Sequence, residues 1–231
     1  MKATFKHSGK IGDILYSIPT IRALGGGKLY LNINGPMLPQ SSYDAVLPLL
    51  KTVPCIEEVE PYLGQDVTHD LDVPYYEART NGDIRFKNLA DIPLDYYQLD
   101  RKERNTAWIP PPAPKIIPGK PVIVNVHGRY LNKEIDWAPI LNPYRNQAIY
   151  VGLRFEEWAP FVRYCGVPIP FYPTRNFYEI AQVMAGATLF IGSAGGVESV
   201  VEGLKMDKIF GVWPNNASCI FPRKGARYLE R

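Results

Sequence analysis

Asp13 is the residue whose type and surroundings most clearly suggest chemistry. It closes the glycine-rich turn Ser8-Gly9-Lys10-Ile11-Gly12-Asp13, which follows a strand pattern at 3–7 and precedes a helical pattern at 14–24. A carboxylate at the start of a helix can cap the helix, or it can take a proton from a hydroxyl group as a general base. The pattern predicts a strand, a loop and a helix, with Asp13 as the candidate base. The candidate ligand-binding residues of the same turn are Gly9, Lys10 and Gly12.

A second glycine turn, Gly192-Ser193-Ala194-Gly195-Gly196, opens another helical pattern near the far end of the chain. Adjacent glycines let a ligand approach the backbone closely, and the N–H groups at a helix start favour phosphate. A tight connection between a strand and a helix explains the same residues without a ligand. The candidate donor-binding residues of this turn are Ser193, Ala194, Gly195 and Gly196.

Charged residues follow the apolar runs of the second half. Arg129 and Lys133 come after a β-branched run at 122–126, so we expect them near the carboxyl end of a strand, where open α/β sheets bind ligands. A cation there would stabilise the charge that develops on a leaving diphosphate, although most such residues are simply solvated. A carboxylate can accept hydrogen bonds from the hydroxyls of a ribose, and one of three candidates would suffice. These are Glu156, Glu157 and Glu198.

Composition excludes several classes of protein. The chain has 231 residues and a net charge of +3, which permits an anionic ligand without favouring nucleic acid. No run approaches the roughly 20 apolar residues of a membrane span. A strand pattern begins at once and the three cysteines are widely spaced, so the sequence predicts no signal peptide, reduced thiols and a cytoplasmic location.

A proline-rich stretch at 109–121 is typical of a semi-rigid interdomain linker and predicts two domains, 1–112 and 113–231. Strand and helix patterns alternate, which indicates an α/β fold with two Rossmann-like, doubly wound domains and a cleft between them. Asn176 and Glu179 form a capping-box pattern, and Pro19 interrupts the first helix. Further strands are predicted at 29–33, 67–73, 122–126, 148–151, 167–171, 189–191 and 209–212. Further helices are predicted at 155–164, 177–185 and 197–204.

Several of these segments resemble one known family. The run from His7 to Leu15, with Pro19 and 21–24 behind it, is similar to the opening of glycosyltransferase family 9, the ADP-heptose:lipopolysaccharide heptosyltransferases. The resemblance covers the first 25 residues and most of 122–214. Its other parts are a donor-phosphate segment (Val126 to Arg129, Lys133, Trp137), a ribose-binding turn (Gly152, Glu156, Glu157) and a last glycine turn within 177–213.

The chain also departs from the family pattern. The last turn of the family usually has Asp-x-Gly followed by a histidine, and Glu198 stands at that histidine position here. The chain is also short for the fold.

The resemblance implies a compact fold of the GT-B type and a glycosyltransferase with hexosyl or heptosyl transfer from a nucleotide sugar. Asp13 would activate the acceptor hydroxyl from the first domain, and the second domain would bind the donor. Transfer would be inverting and independent of metal, with the nucleotide sugar as substrate and no cofactor. Asp70-Leu71-Asp72 matches a metal-binding Asp-x-Asp, but alternation in a half-exposed strand explains it equally well.

The acceptor is the least determined part of the prediction, and the oligomeric state is left open. A glycan is favoured over DNA because the net charge is small and no Lys/Arg run exceeds two residues. One alternative is a phage-type enzyme that glycosylates a hydroxymethylated DNA base, with Tyr130, Trp137 and Tyr144 stacking on a base or lying in the core. Another alternative is a nucleotide- or sugar-binding module without turnover.

Overall fold

A computed structural model describes residues 2–33, 35, 37–214 and 216–230 of the chain. The chain divides into two compact units, Met1–Pro110 and Pro111–Arg231. The boundary between them falls inside the proline-rich stretch at 109–121. No helix in the described part of the chain is long and apolar enough to cross a membrane.

The first unit contains a four-stranded parallel sheet with the strand order β3-β2-β1-β4. Its strands are β1 (Ala3–His7), β2 (Gly27–Leu31), β3 (Ile56–Pro61) and β4 (His69–Asp70). Its α-helices are α1 (Ile11–Tyr16), α2 (Ile18–Ala23), α3 (Gln40–Leu50), α4 (Asp72–Thr80) and α5 (Asp91–Tyr96), with short 3-10 helices at Asp83–Arg85 and Arg101–Asn105.

The second unit contains a six-stranded parallel sheet with the order β10-β9-β8-β5-β6-β7. Its strands are β5 (Val122–Asn125), β6 (Ala148–Gly152), β7 (Phe171–Pro173), β8 (Leu189–Ser193), β9 (Lys208–Gly211) and β10 (Ala226–Leu229). Its α-helices are α6 (Trp137–Leu141), α7 (Phe155–Cys165), α8 (Phe177–Ala185) and α9 (Gly196–Gly203), with 3-10 helices at Gly128–Tyr130 and Asn142–Tyr144.

Both sheets are wound in the same way. Counted within each unit, the described strands follow the order 3-2-1-4, and the second sheet continues it to 3-2-1-4-5-6. This is the order of a Rossmann-type sheet, whose strand order reverses next to the first strand. The predicted α/β, doubly wound fold class is therefore confirmed.

Burial explains why these strands form. Every residue of β5 and β6 is buried, which a parallel strand covered on both faces requires and which the apolar runs at 122–126 and 148–151 supply. Trp137 of α6 packs into the same core and is 1% exposed. The suggestion that Trp137 could stack on a base is therefore wrong, because its ring is enclosed by the unit.

Three predicted elements differ from the structure. The strand expected at 67–73 is reduced to His69–Asp70, because α4 begins at Asp72. The strand expected at 167–171 lies instead at Phe171–Pro173. The first helix begins at Ile11 and not at Ile14, and it breaks at Ser17, where Pro19 then lies in the first turn of α2.

Candidate functional site

Each unit has one point where the strand order reverses, and the glycine turns with Asp13 and with Ser193 to Gly196 lie at these points. In the first unit the reversal lies between β1 and β4, and in the second it lies between β5 and β8. Loops that leave the carboxyl ends of such neighbouring strands open a crevice, which is where doubly wound sheets bind ligands.

Asp13 lies at the reversal point of the first unit. It is the third residue of α1, whose N-cap is Lys10, and no side chain makes the cap hydrogen bond. The capping role considered for Asp13 therefore does not describe it. Its Oδ2 lies 3.3 Å from Nη2 of Arg79 on α4, and the Asp13 side chain is 14% exposed. A negative charge in the first helical turn is favourable because it faces the positive end of the helix.

The two glycines of the first turn, Gly9 and Gly12, differ in how much space surrounds them. A Cβ atom on Gly9 would lie 2.6 Å from Cε1 of His7 and 3.1 Å from Oδ2 of Asp13, so only glycine fits between these side chains. A Cβ on Gly12 would meet its nearest described neighbour, Tyr16, at 3.9 Å, which is ordinary contact. The binding roles predicted for Gly9, Lys10 and Gly12 stay predictions.

The Asp-x-Asp pair at the end of β4 is engaged by a lysine. Nζ of Lys6 lies 2.8 Å from Oδ2 of Asp70 and 3.3 Å from Oδ2 of Asp72. Oδ1 of Asp72 accepts the Ser8 N–H at 2.6 Å. Burial by itself would raise the pKa of Asp72, but the adjacent His7 ring and the hydrogen bond from Ser8 hold that pKa well below its usual range. Among the described residues, no group of three or more His, Cys, Asp or Glu side chains is arranged to hold a metal ion.

The turn from Ser193 to Gly196 lies at the reversal point of the second unit. Ser193 is fully buried, and its Oγ accepts the N–H of His127, the second residue after β5, at 3.1 Å. Gly195 has a φ of 156°, and a Cβ there would lie 3.4 Å from Cβ of His127. The turn is thus packed directly against the segment that leaves β5, and α9 begins at its last residue.

Arg129 and Lys133 are both exposed on the segment that leaves β5. Arg129 lies two residues after His127, and its guanidinium lies 5.4 Å from the centre of the Tyr130 ring. Lys133 is further along the chain, and its backbone carbonyl accepts the Tyr164 hydroxyl at 2.9 Å. Arg129 is therefore the nearer of the two to the end of β5 along the chain, and Lys133 lies on the loop beyond it.

The three candidate carboxylates have different environments. Glu157 lies in the first turn of α7, with Oε1 3.6 Å from Nε2 of His127. Glu156 is exposed and borders a shallow depression formed by 153–156. Glu198 is fully buried, and its Oε1 lies 2.5 Å from Nζ of Lys208. Glu157 is thus held beside the second reversal point, while the Glu198 carboxylate serves an internal ion pair and is not presented to a ligand.

Three residues at these points were not predicted from the sequence as site residues. Arg79 and His7 adjoin Asp13 in the first unit, and His127 links the turn, Glu157 and Tyr130 in the second. His7 ends the strand pattern at 3–7 and His127 follows the run at 122–126, so strand position was an available signal for both. No local sequence pattern indicates a role for Arg79, because only the packing of α4 brings it to Asp13.

No family model and no curated protein matches the sequence. Solved structures do match its fold. A glycosyl transferase family 9 protein from Veillonella parvula aligns with a TM-score of 0.60 and 11% identity, over 99% of this chain and 85% of that one. The chain has the fold of these glycosyltransferases.

Two further structures support the same statement. TibC, an iron-containing dodecameric glycosyltransferase from enterotoxigenic E. coli, aligns with a TM-score of 0.63 and 15% identity over all of this chain. The chain spans 63% of TibC, which is less than two thirds of its length. The E. coli heptosyltransferase WaaC aligns with a TM-score of 0.55 and 10% identity, over 99% of this chain and 93% of WaaC. The predicted resemblance to family 9 is confirmed at the level of the fold.

Proposed function

We propose that the protein is a glycosyltransferase that moves a sugar from a nucleotide-sugar donor to an acceptor hydroxyl. The observation that carries the proposal is the pair of glycine turns, each at the reversal point of its own Rossmann-type sheet, one with Asp13 and the other with Ser193 to Gly196. The shared fold supports it, because WaaC was solved with ADP-2-deoxy-2-fluoro heptose and TibC in complex with ADP-D-beta-D-heptose.

The second unit, with the predicted boundaries 113–231, would bind the donor. Backbone N–H groups at the start of α9 suit a pyrophosphate, and Arg129 adds a full positive charge at the end of β5. Glu157, held near His127, is the better placed of the candidate carboxylates for the hydroxyls of a ribose. Glu156 and Lys133 remain proposed as outer contacts, since both side chains are exposed.

The first unit, with the predicted boundaries 1–112, would supply the base. Asp13 would take the proton of the acceptor hydroxyl as the acceptor oxygen bonds to the anomeric carbon of the sugar. The bond from that carbon to the diphosphate would break at the same time, and the nucleoside diphosphate would leave. A single displacement of this kind inverts the anomeric configuration. Arg129 and the α9 turn would stabilise the leaving charge in place of a metal ion.

The donor site is tested by thermal unfolding with ADP, UDP, GDP and CDP at millimolar concentration. A ligand that binds only the folded protein raises the Tm, so at least one nucleotide is expected to raise it and Arg129→Ala to reduce the rise. Arg163→Ala, an exposed arginine in the last turn of α7, is the matched control. If none of the four nucleotides raises the Tm, the donor site is refuted.

Turnover separates an enzyme from a binding module. Incubation with the matching nucleotide sugars and a panel of saccharides, with and without EDTA, is expected to release nucleoside diphosphate in both conditions. Binding of the nucleotide without transfer or hydrolysis would identify a module without turnover. Loss of turnover in EDTA would contradict the metal-independent reaction.

A further inference from the structure

His7 is a buried titratable side chain that the proposed reaction does not use. It is the last residue of β1, is 1% exposed, and lies directly beneath the turn that leads to Asp13. A buried polar side chain is stable only when its hydrogen-bonding atoms are satisfied, so its partners show what it holds in place.

The two ring nitrogens of His7 connect both ends of the segment that contains Asp13. Nδ1 accepts the Gly9 N–H at 2.9 Å, so the ring proton resides on Nε2. Nε2 in turn lies 3.1 Å from Oγ of Ser17, and that hydroxyl donates to the backbone carbonyl of Asp13 at 2.9 Å. His7 thus fixes the turn before Asp13 and, through Ser17, the helical backbone at Asp13 itself.

Residues of α4 complete the support from the other side. Oδ1 of Asp72 accepts the Ser8 N–H and lies 3.3 Å from Nδ1 of His7. The Tyr75 hydroxyl lies 3.2 Å from Oγ of Ser17 and 3.3 Å from the Asp13 carbonyl, and its ring packs 5.4 Å from the His7 ring. The turn is therefore clamped between the end of β1 and the first turn of α4.

Gly9 lies in close contact with both the His7 ring and the Asp13 side chain. Its Cα lies between the two side chains so closely that an added Cβ would clash with Cε1 of His7 and approach Oδ2 of Asp13 to 3.1 Å. The Gly9 backbone is therefore packed against both side chains, and we expect a shift of the imidazole to displace Gly9 and the carboxylate.

We propose that His7 is a positioning residue that holds Asp13 in its reactive place by fixing Gly9 and Ser17. The effect on turnover rests on the proposed function, in which Asp13 is the base. The inference that His7 fixes the turn does not depend on the proposed function, and it can be tested without any reaction.

Two substitutions of His7 test the roles of its two ring nitrogens separately. His7→Asn retains an acceptor near the position of Nδ1, which can take the N–H two residues ahead as in an Asx turn. His7→Gln retains a donor near the position of Nε2 but moves the acceptor away from Gly9. His69→Asn is the matched control, because His69 lies on the neighbouring strand β4 and its ring packs on Phe5 instead of on the turn.

Amide hydrogen exchange at Gly9 measures the hold on the turn, with the Leu29 amide of β2 as an internal reference for global stability. In His7→Gln, Gly9 exchange is expected to accelerate relative to Leu29, while His7→Asn and His69→Asn leave the ratio close to that of the wild type. Equal acceleration at both amides in His7→Gln, or no change at either, would overturn the proposal.

Enzyme kinetics measure how a change at His7 affects Asp13, the proposed base. A misplacement of about 1 Å costs on the order of 10²-fold in rate, so His7→Gln is expected to lose about that factor in kcat while the Kd for nucleotide stays unchanged. His7→Asn is expected to retain more turnover than His7→Gln. If Asp13→Asn is inactive while His7→Gln matches His69→Asn, this inference alone fails. If Asp13→Asn remains active, the proposed base fails, and Gly9 exchange still decides whether His7 holds the turn.

Discussion

At the scale of single residues, hydrogen-bond partners decide which carboxylates remain available for chemistry. Both oxygens of Asp72 are engaged, by Ser8 and by Lys6, and its lowered pKa makes it a poor proton acceptor. Glu198 is enclosed with Lys208. Asp13 instead contacts Arg79 at 3.3 Å, and the arginine is 45% exposed. Of these carboxylates, Asp13 is the one that we propose as the base.

Asp13→Asn tests this assignment directly. The amide keeps the shape of the side chain but cannot serve as a base, and a positioned base contributes roughly 10²–10⁴-fold. We therefore expect kcat to fall within that range, with nucleotide binding unchanged. Asp44→Asn on the exposed side of α3 is the control. A turnover near that of the wild type would remove Asp13 from the mechanism.

Lys208 lies at the centre of a buried charge cluster, and its removal is expected to be costly. Its Nζ lies 2.5 Å from Glu198 and 2.8 Å from Glu202, and all three side chains are fully buried. Breaking a buried ion pair by removing one partner typically costs about 3–5 kcal/mol, so Lys208→Met should lower the free energy of unfolding by that amount.

Urea denaturation measures this cost, and Lys28 provides a matched comparison. Lys28 also bridges two glutamates, Glu58 and Glu60, but at an exposed site. Exposed ion pairs contribute little to stability because water screens them, so Lys28→Met should have a small effect. Equal losses in the two variants would show that the cluster around Lys208 does not stabilise the second unit.

At the scale of elements, the sequence was most informative where one local rule decides the structure. Apolar runs predicted β5, β6 and β8 because a strand covered on both faces must be largely apolar. Asn176 caps α8 as expected, since its Oδ1 accepts the Glu179 N–H at 2.9 Å. These features depend on neighbours within a few positions of the chain.

Elements that depend on distant partners were not predicted. β3 has a polar sequence, Ile-Glu-Glu-Val-Glu-Pro, and exists because it pairs with β2. β10 likewise exists through its pairing with β9. The use of Glu198 could not be predicted for the same reason, because Lys208 reaches it from the following strand and not from its own helix. Charge alone does not distinguish a ligand contact from an internal ion pair.

The first turn of α8 gives a prediction at the scale of an element. A hydrogen bond from Lys115, then one from the Arg175 N–H, lower the pKa of Glu179 from 4.5 to about 2. The folded state thus favours the ionised form. Its stabilising effect is complete above pH 4.5 and is lost as the pH falls from 4.5 towards 2.

Glu179→Gln should remove this part of the pH dependence. The difference in unfolding free energy between wild type and variant, measured in urea, is expected to be largest above pH 4.5 and to shrink towards pH 2. Glu156→Gln, an exposed carboxylate in the first turn of α7, is the control. A difference that is constant with pH would show that Glu179 acts through packing and not through its charge.

At the scale of the whole molecule, two units with the same winding divide the proposed reaction between them. Each unit brings its own glycine turn to its own reversal point, so contacts within a unit position its candidate residues. A change in one set is therefore expected to leave the other set intact. This separation is why nucleotide binding and turnover are independent measurements in the experiments above.

The charge of the whole chain bears on the class of acceptor. A protein that binds DNA through phosphate contacts releases counterions, so its affinity falls steeply with salt. A net charge of +3 over 231 residues, without a Lys/Arg run longer than two, favours a saccharide. We expect weak binding to duplex and single-stranded DNA at about 50 and 200 mM salt, measured by fluorescence anisotropy. Transfer to a saccharide should change little over the same range. Micromolar or tighter DNA binding that weakens with salt would instead assign the acceptor to nucleic acid.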